Sequence, residues 1–403
     1  MRTAEIIAAE QQHILQTYAR PALVIERGDG CYLFDTDGNR YLDFVSGLAV
    51  NALGYGDPDV LQALAAQAGR LLHVSNLFHT IPSVELARRL VERSFADRVF
   101  FCNSGTEAWE ASLKICRKWA AAQPGKPRYR FVAMHDSFHG RTYGSLSTTG
   151  QPKYHKGFEP LLPGVDFAPF NDLDAVARAV TDETCAILVE PLQAEGGIHV
   201  AAPGFLAGLR QLCDERQLLL VFDEIQVGMG RTGRLWAHEH DGVEPDIMTV
   251  AKALGGGLPL GVTLLREHVA QVMRPGDHAS TFGANPVACA VGQVVLDKIT
   301  APGFLASVQR QGEHLAGRLR ELQAQWPEQI TEVRGRGLIA GAVTTRPAAE
   351  YVAAFRARHM LVAVAGPHVV RFLPPLIVTR EQIDAVADAF AEILREGVEQ
   401  AGR

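Results

Sequence analysis

The chain has 403 residues, of which 47% are hydrophobic and 21% are charged, and its formal net charge is −6. This length usually exceeds what one hydrophobic core serves, so the sequence predicts a folded protein of two domains and argues against disorder. The acidic balance and the dispersed arginines argue against a nucleic-acid partner, and the lack of a membrane-length apolar run argues against a membrane partner.

The N-terminal region predicts a surface helix followed by a hairpin. Residues 1–20 carry Glu5 and Glu10 where a secretory signal needs an unbroken apolar run, which favours an amphipathic helix and a cytoplasmic protein. The segment CYLFDTDGNRYLDF contains two strand patterns around Asp37-Gly38-Asn39, residues typical of a turn. We therefore expect an antiparallel hairpin in this segment.

The cysteines indicate a reducing compartment. They form no CxxC pair and no Cys/His spacing typical of zinc, so we expect no metal site. Buried, small hydrophobic side chains are the role we expect for most of them. The six are Cys31, Cys102, Cys116, Cys185, Cys213 and Cys289.

The middle of the chain predicts a mostly parallel sheet with helices on both faces, because short apolar runs alternate there with helical patterns. Pro203 is expected to open one of these helices, since apolar residues follow it at the spacing of one buried face. The apolar runs cover residues 99–102, 131–134, 186–189, 218–222 and 247–251.

The C-terminal part predicts a smaller α+β domain. An apolar helix starts near Pro286, a long helix is expected over Phe304–Gln325, and short strands precede a last helix from Gln382 onward. The predicted division is an N-terminal segment over 1–55 that packs with the small domain, a large domain over 56–298 and a small domain over 299–403.

Polar residues follow several of the predicted strands, at the edge where parallel α/β sheets bind ligands. After the run 99–102, Ser104-Gly105-Thr106 leads into a helix whose free N–H groups and positive dipole end suit a phosphate. The alternative is that Ser104 or Thr106 only caps this helix.

The loop after the run 131–134 combines an aromatic residue, histidines and an arginine. Phe138 could cover a planar ring, and Arg141 could hold a carboxylate by two parallel hydrogen bonds. The alternative makes Phe138 a core residue and His135 and His139 ordinary loop donors.

An acid and a lysine end two further strands. Asp223 follows the run 218–222, and Lys252 follows the run 247–251 and precedes three glycines. A lysine at the end of a buried strand is desolvated, which lowers its pKa and frees an amine able to attack an aldehyde. Isolated residues of these types commonly only form a turn or face solvent, but the matched pair favours an active site.

Residues 228–233 match the dinucleotide-binding pattern G-x-G-x-x-G. A dinucleotide site needs this turn directly after a strand and an acid at the end of the next strand. Here the glycines begin five residues after Asp223, and Asp246 starts the next strand instead of ending it. The pattern therefore does not predict dinucleotide binding.

Together these segments resemble the class III (ornithine-type) aminotransferases among the fold-type I pyridoxal-phosphate enzymes. The resemblance covers nearly the whole chain and implies an α/β fold with a large, mostly parallel seven-stranded sheet domain and a smaller α+β domain. It also implies a homodimer with shared active sites. The segments that carry it include NSGTEA, SFHGRTYGSLSTTG, EPLQAEGG, VFDEIQVGMGRTG, DIMTVAKALGGGLPLG, HASTFGANPVACA and VVRFLPPLIV.

The resemblance implies that pyridoxal 5'-phosphate is the cofactor. Lys252 would bind it as a Schiff base and move the proton, and Asp223 would pair with its pyridine nitrogen. Gln226 would reach the phenolic oxygen of the ring, and Phe138 would stack on the ring. The other implied cofactor contacts are Ser104, Gly105, Thr106, His139, Glu224, Ile225 and, from the partner subunit, Thr281.

Four residues are implied as substrate contacts by the same resemblance. Arg141 matches an arginine that binds a substrate carboxylate, and Arg371 matches the one that binds the α-carboxylate of glutamate. Glu195 matches the acid that covers Arg371 while the ω-amino donor is bound, and Ser280 is a plausible further contact.

The implied reaction moves the distal amino group of N2-acetylornithine, or of a close N-acyl diamino acid, to 2-oxoglutarate, as in arginine biosynthesis. Leu48 and His79 stand where ornithine δ-aminotransferases have tyrosines, which argues against free ornithine. N-succinylornithine, N-acetyl-lysine, ornithine and 4-aminobutyrate stay open as donors. Racemase or decarboxylase chemistry on the same fold is a further alternative.

Overall fold

The computed structural model of the protein describes residues 2–401. Its helices, in chain order, are α1 (Thr3–His13), α2 (Ser46–Ala49), α3 (Pro58–Ala68), α4 (Ile81–Glu92), α5 (Gly105–Ala121), α6 (Tyr143–Thr148), α7 (Leu173–Ala179), α8 (Phe205–Arg216), α9 (Glu267–Ala270), α10 (Pro286–Ile299), α11 (Phe304–Gln325), α12 (Ala348–Ala357) and α13 (Arg380–Ala401). Three 3-10 turns cover Pro152–Tyr154, Ala237–His240 and Lys252–Gly255.

The strands form three larger sheets and one two-stranded ribbon. In chain order they are β1 (Ile25–Asp29), β2 (Tyr32–Asp35), β3 (Arg40–Asp43), β4 (Arg98–Cys102), β5 (Arg130–Met134), β6 (Val165–Ala168), β7 (Thr184–Val189), β8 (Leu192–Gln193), β9 (His199–Val200), β10 (Leu219–Asp223), β11 (Ile247–Val250), β12 (Gly261–Leu265), β13 (Ile330–Arg336), β14 (Ile339–Thr344), β15 (Met360–Leu361), β16 (Ala363–Val364) and β17 (Val369–Phe372).

The largest sheet has seven strands in the order β4-β12-β11-β10-β7-β5-β6. The strands from β11 to β6 are parallel to one another, and β12 is antiparallel to both of its neighbours. Alternate residues of a strand belong to two different core clusters: Val132 and Met134 pack in one, Phe131 and Ala133 in the other. The sheet is therefore covered on both faces, which confirms the predicted mostly parallel seven-stranded sheet.

Two four-stranded sheets flank the large one. The predicted N-terminal hairpin is confirmed as β2 and β3, which pair antiparallel, and β1 and β15 complete that sheet. The second sheet has the order β13-β14-β17-β16. It carries Arg371 in β17.

Side-chain caps stand at the starts of α3 and α10, two helices that pack against each other. Asp57 accepts hydrogen bonds from the backbone N–H groups of Asp59 and Val60 at the start of α3. Asn285 does the same at the start of α10, and each cap is followed directly by a proline in the first helical position. Caps of this type stabilise a helix by about 1 kcal/mol each.

Several predicted elements agree with the structure, and one helix start is corrected. Helix α1 is a surface helix without a buried residue, and all six cysteines are buried and free. Helix α8 begins at Phe205 instead of Pro203, because Gly204 adopts a φ of +84° and interrupts the helical backbone. The last helix begins at Arg380, two residues before the predicted position.

Within residues 2–401, no single helix is long and apolar enough to span a membrane. Helices α10 and α11 pass that test only when taken together, and a bend of 70° separates them.

Candidate active site

A cavity of about 470 Å³ lies at the carboxyl ends of the parallel strands of the seven-stranded sheet. This volume lies within the range of small-molecule sites. Strands β4, β5, β7, β10 and β11 each deliver residues to the cavity at or shortly after their last residue. The predicted site residues that line it are Ser104, Gly105, Thr106, Phe138, His139, Arg141, Glu195, Asp223, Ile225, Gln226 and Lys252.

Lys252 begins the 3-10 turn that follows β11, and its backbone φ is +44°. This left-handed conformation is strained for a residue with a side chain, and such strain concentrates at functional sites. The half-buried side chain lines the cavity. Removal from water lowers the pKa of the amine, although the charges of Glu195 and Asp223 oppose the shift. A lowered pKa increases the fraction of neutral, nucleophilic amine.

Asp223 is the last residue of β10, and its buried carboxylate is held from two sides. Its Oδ1 accepts a hydrogen bond from the N–H of Ile225 at 3.0 Å, and its Oδ2 lies 2.8 Å from Nδ1 of His139. The His139 ring in turn stacks on Trp109, with 3.9 Å between centroids and 7° between planes. These contacts fix a carboxylate at the cavity wall.

The start of helix α5 supplies a candidate anion site. Ser104 caps the helix by accepting a hydrogen bond from the N–H of Glu107, so the predicted capping role is present. A Cβ on Gly105 would lie 2.8 Å from the side chain of Ile225, so any larger residue there would have to displace Ile225. The first-turn N–H groups of a 17-residue helix and its dipole favour an anion beside Gly105 and Thr106.

Phe138 and Arg141 lie next to each other on the cavity wall. The N–H of Phe138 donates to Oε1 of Glu190 at 2.9 Å. The guanidinium carbon of Arg141 lies 5.5 Å from the Phe138 ring centroid and 3.8 Å from that of Tyr154. The exposed Arg141 side chain is thus held over aromatic faces and keeps its donors for a ligand.

Arg371, which is buried, forms an ion pair with Glu195 at the edge of the cavity. Its Nη1 donates to Oε1 of Glu195 at 2.7 Å and to Oε1 of Gln226 at 2.9 Å. Nε2 of Gln226 donates to the same Glu195 oxygen at 3.1 Å. Arg371 itself does not line the cavity, but both of its partners do.

The two members of this ion pair differ in exposure. The Arg371 side chain is 2% exposed, whereas that of Glu195 is 24% exposed. Burial alone would raise the pKa of Glu195, but the charge and hydrogen bond of Arg371 outweigh it and lower that pKa. The arginine is therefore fixed in β17, and the carboxylate is the member with access to solvent.

Glu224 was predicted as a cofactor contact, and that contact stays a prediction. Its carboxylate does not line the cavity: Oε2 accepts from the N–H of Ala237 at 2.6 Å and Oε1 from that of His238 at 2.8 Å. Successive residues of a strand point to opposite faces, so Asp223 toward the cavity places Glu224 away from it. Burial raises the pKa of Glu224 to about 8.

Ser280 and Thr281 do not line the cavity of this chain. Oγ of Ser280 accepts a hydrogen bond from Nδ2 of Asn103 at 3.1 Å, and Asn103 is a lining residue. Thr281 is exposed. Its predicted contact with a partner subunit stays a prediction.

Glu190 is a lining residue that our sequence analysis did not single out. It follows β7 directly, so a search of the residue after every predicted strand would have found it. Its two oxygens accept the N–H groups of Phe138 and Ala194. Burial, followed by the nearby charge of Asp223, raises its pKa well above the usual value.

Among residues 2–401 there is no group of three or more His, Cys, Asp or Glu side chains arranged to hold a metal ion. The candidate site is thus built from an amine, carboxylates, arginines and a helix N-terminus.

Known proteins are similar to this chain in both sequence and fold. The family model for aminotransferase class-III matches residues 15–394. An acetylornithine aminotransferase of Caldanaerobacter subterraneus subsp. tengcongensis is 46% identical over 97% of this chain and 99% of its own length. The solved N-acetylornithine aminotransferase of Stenotrophomonas maltophilia K279a is 37% identical with a TM-score of 0.84, and the match covers 98% of this chain and 100% of that one.

A further solved structure is the ornithine aminotransferase of Toxoplasma gondii, in which pyridoxal phosphate partially occupies the active site. It is 32% identical to this chain with a TM-score of 0.95. The match covers 99% of this chain and 96% of that one.

Proposed function

Because the chain belongs to the class III aminotransferases, we propose that it transfers the distal amino group of N2-acetylornithine, or of a close N-acyl diamino acid, to 2-oxoglutarate. The products are the corresponding semialdehyde and glutamate, and the reaction belongs to arginine biosynthesis. The relatives named for acetylornithine support this substrate. The observation that carries the proposal is the buried Arg371–Glu195 pair at the cavity.

Pyridoxal 5'-phosphate fits the residues that line the cavity. The N-terminus of α5 and Thr106 would hold its phosphate, and the carboxylate of Asp223 would face its ring nitrogen. Lys252 has the lowered pKa that a covalent link to an aldehyde needs. When bound, the cofactor withdraws electrons from the substrate carbon that carries the amine.

Each side chain then has a distinct task. Lys252 would hold the cofactor and, once released from it, move a proton at the reacting carbon. The carboxylate of Asp223 would face the ring nitrogen, and His139, stacked on Trp109, holds that carboxylate in place. Phe138 would cover the ring, Gln226 would reach its phenolic oxygen, and His139 and Ile225 complete the wall around it.

The Arg371–Glu195 pair would let one cavity accept two kinds of substrate. Glutamate and 2-oxoglutarate carry a carboxylate beside the reacting carbon, which Arg371 would bind by two hydrogen bonds after Glu195 moves away. An acylornithine that enters by its distal amine has no carboxylate there. In that half-reaction Glu195 would stay on Arg371 and avoid a buried unpaired charge. Arg141 would hold the remaining carboxylate.

We further propose a homodimer whose partner subunit contributes to each site. Exposed apolar side chains lie on two segments. One segment carries Leu72, Leu77 and Phe78, and the other carries Phe282, next to Thr281. Hydrogen bonds join these segments, because Asn76 donates to the carbonyl groups of Ser280 and Gly283. Apolar patches of this kind mark protein interfaces.

The sheets support the proposed domain division. Every strand of the seven-stranded sheet lies within residues 98–265, inside the proposed large domain over 56–298. The sheet of β13, β14, β16 and β17 lies inside the proposed small domain over 299–403. The N-terminal sheet takes β15 from that domain, in agreement with an N-terminal segment that packs there.

Amine-donor profiling tests the proposed substrate. Purified holoenzyme with 2-oxoglutarate is offered N2-acetylornithine, N-succinylornithine, N-acetyl-lysine, ornithine and 4-aminobutyrate, and glutamate formation is measured. We expect the highest kcat/KM with N2-acetylornithine. A higher value with ornithine or 4-aminobutyrate, or no glutamate with any donor, would overturn the proposal.

A further inference from the structure

The loop at residues 228–233, which carries the G-x-G-x-x-G pattern, contains a buried arginine that the proposed reaction does not use. Arg231 is 2% exposed. Its Nη1 donates to the carbonyl oxygens of Leu338 at 2.9 Å and Pro374 at 2.5 Å. Within the described residues it forms no salt bridge with a carboxylate, and its Nη2 has no hydrogen-bond partner. The charge of Asp43 acts on the guanidinium, but both of its hydrogen bonds go to carbonyl groups. Burying a cation in this way is costly, so its position needs an explanation.

The two carbonyl groups lie next to the ends of two paired strands: Leu338 directly precedes β14, and Pro374 follows β17, the strand that carries Arg371. Strands β14 and β17 pair antiparallel, with Gly341 opposite Arg371 and Ala340 opposite Phe372. Following the same register, Leu338 comes opposite Pro374. Proline has no N–H, so the ladder of hydrogen bonds cannot continue at this pair. The Arg231 guanidinium bridges the two strands in place of the missing backbone bond.

The backbone of the loop also packs tightly against the start of β14. The N–H of Leu338 donates to the carbonyl oxygen of Arg231 at 3.0 Å. Gly337 has a φ of +62°, and a Cβ at that position would lie 2.5 Å from the carbonyl carbon of Thr232. Arg231 therefore has little room to shift relative to the two strands.

The same chain segment touches Arg371 directly. Gln226, five residues before Arg231, accepts a hydrogen bond from Arg371 and donates one to Glu195. The segment from Gln226 to Arg231 thus contacts β17 at the arginine itself and again just beyond the end of the strand. This segment therefore connects the cavity wall at Gln226 to β17, the strand that carries Arg371.

We propose that Arg231 is a positioning residue for α-carboxylate recognition: it clamps β14 to β17 and thereby fixes the position of Arg371. The inference rests on the proposed function. Two-point binding of a carboxylate tolerates only small displacements of the guanidinium. The Arg371–Glu195 ion pair is less sensitive to a displacement of Arg371, because Gln226 also holds the pair and the acylornithine does not touch it. Loss of the clamp therefore weakens glutamate binding selectively.

Arg231→Met and Arg231→Lys test the clamp in the holoenzyme. Met fills a similar volume but donates no hydrogen bond, whereas Lys has one nitrogen that can serve both carbonyl groups. We measure KM and kcat of the glutamate and acylornithine half-reactions separately. Arg231→Met should raise the KM for glutamate by about 10-fold and leave that for acylornithine within about 2-fold. Arg231→Lys should recover much of the loss.

A matched control separates the clamp from general destabilisation. Val386→Ala opens space at a buried position of α13, a helix that supplies neither of the carbonyl groups bound by Arg231, and should shift both KM values little. Equal changes of both KM values in Arg231→Met, or a selective glutamate defect in Val386→Ala, would overturn the inference. If Arg231→Met does not fold, equal changes of both KM values in Arg231→Lys would overturn the inference. The wild-type enzyme is tested first, because its failure with both substrates contradicts the proposed function and not the clamp.

Discussion

Nδ1 of His139 lies 2.8 Å from Oδ2 of Asp223, and both buried side chains belong to the cavity wall. A His ring held flat against Trp109 cannot follow a moving carboxylate, so the pair fixes Asp223 in one orientation. The negative charge of Asp223 is thereby presented to the cavity at a constant position, as electrostatic preorganisation requires.

Asp223→Asn should slow turnover by on the order of 10²-fold or more. The change keeps the shape of the side chain and an oxygen that can accept a hydrogen bond, but it removes the charge that would keep the cofactor ring nitrogen protonated. Steady-state kcat with saturating acylornithine and 2-oxoglutarate measures the effect. Near-full turnover would mean that Asp223 serves only to shape the strand end.

Glu224→Gln is the matched control for that variant. Glu224 is the next residue and equally buried, but its carboxylate accepts the N–H groups of Ala237 and His238 instead of lining the cavity. We expect kcat within about 3-fold of the wild type, because the change removes at most one of these two hydrogen bonds. A loss as large as that of Asp223→Asn would assign a direct catalytic role to the Glu224 carboxylate.

Glu195→Gln and Arg371→Lys should affect opposite half-reactions. Without its charge, Glu195 no longer neutralises Arg371, so the acylornithine half-reaction should slow by about 10-fold while the glutamate half-reaction changes less. Lysine cannot bind a carboxylate by two parallel hydrogen bonds, so Arg371→Lys should mainly impair the glutamate half-reaction.

Single-turnover measurement of each half-reaction distinguishes these cases. The cofactor form of the enzyme is mixed with acylornithine or with glutamate, and the spectral change is followed in each variant. Equal losses in both halves for both variants would contradict the proposed exchange of partners at Arg371 and would reopen the substrate assignment.

His238→Phe should remove a pH dependence of stability. Burial lowers the pKa of His238 from the usual 6.5 to about 4. Between these values the unfolded chain binds a proton that the folded chain does not, so wild-type stability falls as pH falls from 6.5 to 4. The loss is on the order of 3 kcal/mol for a ring this deeply buried. Phenylalanine suits the site, since Phe95 and Phe222 lie about 6 Å away.

Thermal unfolding at several pH values checks this prediction. The Tm advantage of His238→Phe over the wild type should grow as the pH is lowered from 7 toward 4.5. His13→Gln, at an exposed position of α1, is the control and should show a constant difference. A constant difference for His238→Phe as well would show that His238 does not titrate in this range.

Much of the site could be predicted because its chemistry follows strand ends. Lys252 and Asp223 each stand where an apolar run stops, and parallel strands bring such positions to one edge. Glu224 directly follows Asp223, and sequence position alone does not say which of two successive side chains faces the cavity. Successive side chains of a strand point to opposite faces, so the position of Asp223 at the cavity determines that the Glu224 side chain points away from it.

Contacts between segments that are distant in the chain could not be predicted from the residues alone. Arg371 and Glu195 are 176 positions apart, and only the family resemblance suggested their pairing before the structure was known. Nothing local in the 228–233 pattern indicates that Arg231 bridges Leu338 and Pro374. That role depends on the register of β14 and β17 and on a proline where their ladder ends.

The covalent attachment of pyridoxal phosphate to Lys252 is the central claim, and borohydride reduction of the holoenzyme tests it most directly. Reduction fixes the cofactor to the lysine that holds it, and peptide mapping by mass spectrometry identifies that lysine. We expect the pyridoxyl group on the peptide that contains Lys252 and its absence from the Lys252→Ala protein. A pyridoxyl group on any other lysine, or unchanged labelling of Lys252→Ala, would contradict the account.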